Sequence, residues 1–238
     1  NGKITAQQVQ DYVEWHRNDE STEHIVQPGM VYISHPTEGG TLYTKAELTA
    51  LYDICRRYGL PLFIDGARLG YGLMAEESDM TLPEIGRWCV VSYCGGTRGA
   101  PLFGEAVVIM NENLKRVSRF IMKRGGGRMA RAGLRGFQFD TLFTDDLYSK
   151  ISRHAIEMAH QIRDIFVSAG YPLLFDSPTN QQYPIMSDDE LAILGKSFGY
   201  EYWERVDETH SGVRFCASWA TKQEHVDALR AAVNALKK

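Results

Sequence analysis

The chain has 238 residues, 44% of them hydrophobic and 24% charged, enough for one large core or for a core plus a smaller satellite domain. A formal net charge of −4 is the wrong sign for a nucleic-acid footprint, and no run of about 18 apolar residues offers a membrane span. The four cysteines, Cys55, Cys89, Cys94 and Cys216, form no CxxC pair and no metal-ligand spacing; each sits in an apolar stretch and reads as a buried free thiol of a reducing, cytoplasmic compartment. The chain opens on Asn1 with no visible signal peptide, so any targeting segment is expected to lie outside it.

Residues 5–18 carry a helical pattern, and Met30-Val31-Tyr32-Ile33 reads as a buried strand. Thr44-Lys45-Ala46-Glu47 is a capping box, so a helix opens there and runs to about Tyr58, where Gly59 stops it. A second apolar run, Leu62-Phe63-Ile64, ends abruptly at Asp65. Strand, helix, strand predicts a parallel sheet covered on both faces, and ligands of such sheets bind outside the carboxyl ends of the strands. Asp65 lies at that position.

Cys89 to Cys94 reads as the next strand, ending in Gly95-Gly96-Thr97, and Glu105 to Ile109 as the one after it. Residues 112–123 look helical, followed by Gly125-Gly126-Gly127 and a basic stretch with Arg128, Arg131 and Arg135. A long helix is predicted from about Asp146 to Ala169, on the spacing of Ile151, Ala155, Ile156, Ala159, Ile162 and Ile165. Beyond Gly170 short strands alternate with helices: 181–186, a helix near 188–198, 200–206, 212–217, and a last helix opened by the capping box Thr221-Lys222-Gln223-Glu224. The domain boundary is therefore placed in the long helix, giving a large domain over 1–149 and a small α/β domain over 150–238.

The chemistry concentrates in Phe63-Ile64-Asp65-Gly66-Ala67-Arg68-Leu69. Asp65 and Arg68 can face one pocket, or form a local salt bridge or a helix cap. Asp-Gly-Ala-Arg-Leu after a buried strand resembles the signature of the threonine aldolase and β-eliminating lyase family of pyridoxal-phosphate (PLP) enzymes. The resemblance runs from about residue 29 to 225 and implies the type I PLP fold, a mostly parallel sheet with helices on both faces. It implies that Asp65 pairs with the coenzyme's ring nitrogen, keeping it protonated as an electron sink, and that Arg68 serves the phenolic-oxygen side. The family's first third, which supplies a phosphate turn and a ring-stacking residue, has no counterpart here.

In similar enzymes a Schiff-base lysine follows Gly-Gly-Thr. This chain has Gly95-Gly96-Thr97-Arg98-Gly99-Ala100, then Gly104-Glu105-Ala106. Either Arg98 holds the lysine position, where an always-protonated guanidinium forms no Schiff base, or the lysine belongs between Thr97 and Arg98. The second reading restores the spacing to Gly99-Ala100, though Pro101 then stands as an extra residue before the Leu-Phe-Gly-Glu-Ala run. Lys123 at a helix end fits a solvated charge better. Gly95, Gly96, Thr97 and Arg98 are candidate cofactor contacts, with backbone N–H groups offered to the phosphate.

His35, Thr37 and Glu38 lie at another strand's carboxyl end, where the resemblance implies a polar residue near the substrate's β-hydroxyl; loop capping is the alternative. Arg214, inside an apolar strand, is costly to bury unpaired, and the resemblance implies that it binds the α-carboxylate; an internal salt bridge is the alternative. Arg128 and Arg131 are candidates for substrate or phosphate contact, or for an exposed loop. Ser177-Pro178-Thr179-Asn180-Gln181 matches one branch of the family and reads as a structural turn. The implied activity is retro-aldol cleavage of threonine or another β-hydroxy amino acid to glycine and an aldehyde, in a homodimer or homotetramer with sites at subunit interfaces. β-Elimination to pyruvate and ammonia, or a non-catalytic protein with Arg98 in the lysine's place, are the rivals.

Overall fold

The computed structural model describes residues 2–96, 98–128 and 133–237. Helix α1 (Ala6–Asn18) is opened by a capping box between Thr5 and Gln8. Strand β1 (Val31–Ser34) follows, then α2 (Lys45–Tyr58), whose Thr44–Glu47 box forms as expected. Gly59 ends α2 at φ 71°, a left-handed conformation that costs glycine little. Strand β2 (Leu62–Gly66) pairs parallel with β1, and β3 (Val91–Cys94) parallel with β2. Strand β4 (Ala106–Ile109) pairs antiparallel with β3, because the short segment between them carries no crossover helix.

Side chains alternate across this sheet. Val31, Ile33, Leu62, Ile64 and Cys94 point into a core shared with Val9 and Val13 of α1 and Leu48, Leu51 and Ile54 of α2. The opposite face carries Tyr32, Phe63 and Tyr93 in a row, the first two rings stacked at 5.1 Å and the second pair at 6.0 Å.

Two short helices fill the span between β2 and β3. Helix α3 (Leu69–Met74) holds two glycines and has weak intrinsic helicity. It forms because it packs on the long α7 (Leu147–Ser168), where Tyr148 hydroxyl accepts the Gly70 N–H at 2.9 Å. A side chain at Gly70 would meet Tyr148 Cζ at 2.8 Å, so the glycine permits this approach. Helix α4 (Leu82–Trp88) opens on a Thr81–Glu84 capping box, a signal that was present in the sequence. Helices α5 (Glu112–Arg124) and α6 (Gly133–Phe143) lie between β4 and α7.

The later half of α7 turns Met158, Ala159, Ile162, Ile165 and Phe166 into a second core. That core is closed by a sheet of β5 (Gln181–Gln182), β6 (Ile185–Ser187), β7 (Glu201–Arg205) and β8 (His210–Cys216), with β5, β6 and β7 each antiparallel to β8. Helices α8 (Asp188–Leu194) and α9 (Gln223–Leu236) pack beside it. The expected single strand over 181–186 is divided, since Pro184 has no N–H to give the ladder. No helix among the described residues is long and apolar enough to cross a membrane. Cys216, expected to be buried, is exposed at the end of β8; Cys55, Cys89 and Cys94 are buried.

Candidate active site

Asp65 is the penultimate residue of β2, with Ser34 of β1 on one side and Tyr93 of β3 on the other. Tyr32 hydroxyl donates to Asp65 Oδ2, and Ala67 N–H donates to Oδ1 at 2.9 Å. Burial pushes the Asp65 carboxyl up. Hydrogen bonds from Tyr32, Tyr93 and the Ala67 N–H, with the charge of Arg98, outweigh burial and hold it below the usual range. Asp65 is therefore a fixed negative charge at neutral pH. Beside it, Ala67, Tyr93, Arg98, Glu105 and Val107 line an open cavity of about 580 Å³.

Arg68 follows on the turn into α3, its side chain only 8% exposed. Its Nη1 donates to both Glu38 oxygens, at 3.1 and 3.2 Å. Glu38 projects from the loop after β1 and also lies 3.7 Å from Arg214 Nη1 on β8. One carboxylate thus sits between two arginines drawn from different cores. Arg214 Nη1 donates to Gln181 Oε1 at 2.9 Å, Nη2 pairs with Glu201, and the guanidinium lies 5.3 Å from the Trp203 ring centre. Its Nε is buried without a hydrogen-bond partner, a cost of about 1–3 kcal/mol.

Thr37 is 2% exposed, its hydroxyl 2.7 Å from that of Thr41 and accepting the Thr41 N–H at 3.1 Å. It ties the loop together, the alternative expected for it, and lines a cavity with Tyr32, Glu38 and Trp203. His35 is likewise turned inward at 1% exposure: Nδ1 accepts the Tyr43 N–H at 3.3 Å, and Nε2 has no partner. Burial pushes its pKa down to about 4, so the ring is neutral. Of the three, only Glu38 reaches the arginines.

The glycines after β3 also differ from expectation. Gly95 N–H donates to Gly66 O at 2.8 Å and Gly96 N–H donates to the Glu105 carboxylate, so both are spent inside the protein. Their lack of side chains matters for another reason: a Cβ at Gly95 would collide with the Ala67 carbonyl, and one at Gly96 with the Gly104 carbonyl. Arg98 is held by its backbone, whose carbonyl accepts from Tyr71 hydroxyl at 2.6 Å. Arg128 is exposed on the turn after α5. Thr97 and Arg131 lie outside the described residues.

Sequence reasoning missed Tyr32, Tyr93, Gln181, Glu201 and Trp203. Tyr32 and Tyr93 were legible as strand aromatics with polar tips. Gln181 was named only as the end of a turn, and its partners lie far off in the chain.

A family model described as beta-eliminating lyase matches residues 1–230. A low specificity L-threonine aldolase of Pseudomonas aeruginosa is 25% identical over 229 residues, which cover 96% of this chain and 64% of that protein. The chain thus spans just under two thirds of that relative's length. Among solved structures, a threonine aldolase of Leishmania major is 34% identical, with a TM-score of 0.94 over 100% of this chain and 68% of that one. A putative L-allo-threonine aldolase of Listeria monocytogenes, 18% identical, shares the fold with a TM-score of 0.76 over 100% of this chain and 66% of its own.

Proposed function

We propose that this chain, which belongs to the beta-eliminating lyase family, carries the substrate-binding half of a PLP-dependent aldolase that cleaves threonine or a related β-hydroxy amino acid to glycine and an aldehyde. The observation that carries this reading is the row Arg68–Glu38–Arg214, set beside an ionised Asp65. Its relatives among threonine aldolases support the choice of reaction.

The residues present fit the coenzyme. Asp65 is a carboxylate held ionised by two tyrosines and a backbone N–H, as a partner for a protonated ring nitrogen must be. When bound, the coenzyme supplies an electron sink for the pair released at the substrate's α-carbon. Asp65 keeps the nitrogen's proton in place, because an opposite charge at close range favours the charged form. Arg68, buried and already paired, lends a positive charge to the same end of the cleft. Arg214 orients the substrate by taking its α-carboxylate on the guanidinium. Glu38, between the two arginines, accepts the β-hydroxyl proton as the Cα–Cβ bond opens.

A second reading rests on Arg98. A guanidinium cannot take the lysine's part, and no other described residue at the cleft is a lysine, so the sequence as it stands also supports a non-catalytic PLP-fold protein. Intact mass of the purified protein separates the two: a mass heavier than the sequence by one lysine restores the enzyme. Products then decide the chemistry. Glycine with acetaldehyde from threonine supports the aldolase, pyruvate with ammonia from a β-substituted alanine supports elimination, and neither, with no visible-edge absorbance on adding PLP, overturns both.

A further inference from the structure

Strand β5 and the residue after it present Gln181 and Tyr183 on one face, two residues apart. Both are fully buried. Gln181 Nε2 donates to the Glu38 carbonyl at 3.4 Å, and Tyr183 hydroxyl donates to the same oxygen. On its other side, Gln181 Oε1 accepts from Arg214 Nη1 at 2.9 Å. A single amide therefore touches both the backbone of the candidate base and the guanidinium of the candidate carboxylate receptor. An amide is suited to this task, since it donates and accepts at once without adding charge beside Glu38 and Glu201.

We propose that Gln181 is a positioning residue that sets Arg214 and Glu38 at a fixed separation, so that the α-carboxylate and the β-hydroxyl of one substrate are engaged together. The proposal rests on the aldolase reading for its kinetic signature and on the contacts above for its structural one. Gln181 fixes one edge of the Arg214 guanidinium, while Glu201 and the Trp203 ring fix the rest. Gln181 and Tyr183 share the work of holding Glu38, and both also meet Arg214, Gln181 through its amide oxygen and Tyr183 through its hydroxyl. A KM effect that depends on Arg214 is a pattern which a general loss of stability cannot imitate.

The test compares Gln181→Met and Tyr183→Phe in the full chain, each also in an Arg214→Met background. Gln181→Met is expected to raise KM for L-threonine about tenfold, the scale of one hydrogen bond to a charged group, and also to lower kcat. Tyr183→Phe is expected to lower kcat and to raise KM as well, since its hydroxyl also meets Arg214. In the Arg214→Met background, the KM effect of Gln181→Met should vanish and its kcat effect remain. Hydrogen exchange is read in parallel and needs no activity: amides of residues 37–41 should exchange about tenfold faster in both single variants, with β2 unchanged. An unchanged KM in Gln181→Met, a KM effect that persists without Arg214, or unaltered exchange at residues 37–41 overturns the role. Should the methionine variant not fold, Gln181→Glu replaces it: the acceptor for Arg214 stays, so KM should hold while exchange rises, and the reverse pattern is contrary. A wild-type protein without aldolase activity sinks the functional reading, and the exchange arm then decides the coupling alone.

Discussion

Lowering the pH sets His35 against the fold. Its ring is buried to 1% exposure, Nδ1 accepts the Tyr43 N–H, and burial, only partly offset by Asp79, depresses the pKa from 6.5 to about 4. In the unfolded chain the same imidazole protonates near its ordinary pKa of about 6.5. Between pH 6.5 and 4 the unfolded state binds a proton that the folded state refuses, so stability rises with pH through this window and is lost as the pH falls. At about 1.4 kcal/mol per pKa unit, a gap of roughly two and a half units is worth about 3 kcal/mol. Urea unfolding of the wild type and of His35→Asn at pH 7 and pH 4 isolates this amount, since the carboxylates titrate alike in both. An asparagine amide oxygen can keep the Tyr43 N–H satisfied without titrating. The wild type should lose about 3 kcal/mol more than the variant on going to pH 4. Equal losses would mean that His35 reaches solvent, and would return it to the list of candidate bases.

Asp65→Asn should keep the fold, because an amide can still accept from Ala67, yet lower aldolase activity at least about a hundredfold, as loss of one preorganised electrostatic partner does; titration with PLP, followed by absorbance, should also show weaker binding. Glu38→Gln should cut kcat by about 10²–10⁴-fold if its carboxylate takes the hydroxyl proton; an unchanged kcat assigns that proton elsewhere. Gly95→Ala should destabilise the fold by about 3 kcal/mol or more in a thermal melt, because the clash is with the backbone carbonyl of Ala67 and not with a side chain that can turn away. Tyr148→Phe strands the buried Gly70 N–H and should cost about 1–3 kcal/mol in the same assay.

The parts of the molecule that obey local rules were legible in the sequence. The Thr44–Glu47 box and Gly59 bounded α2 to the residue, and the apolar runs at Val31 and Leu62 became parallel strands that leave Asp65 at a carboxyl end. Helix α3 was not legible, because Gly70 and Gly72 argue against a helix and only contact with α7 makes one. The site divided along the same line. Asp65, Arg68, Glu38 and Arg214 each stood at a strand end or inside an apolar strand, where a charge demands explanation. Thr37 and His35 stood there too, but a loop that closes on Thr41 turns them inward, and spacing alone does not reveal that. Gln181 carries no charge, and it meets Glu38 across 143 residues of chain, so nothing near it in the sequence announced its partner.

The carbonyl of Glu38 has a mechanical consequence. It belongs to a loop rooted in the first core, yet both side chains that grip it, Gln181 and Tyr183, are rooted in the second. The polypeptide passes between those cores along α7, so the grip acts as a latch at the far end of a lever. Any movement of one core against the other would have to break this grip, and the spacing of the two arginines would change in step.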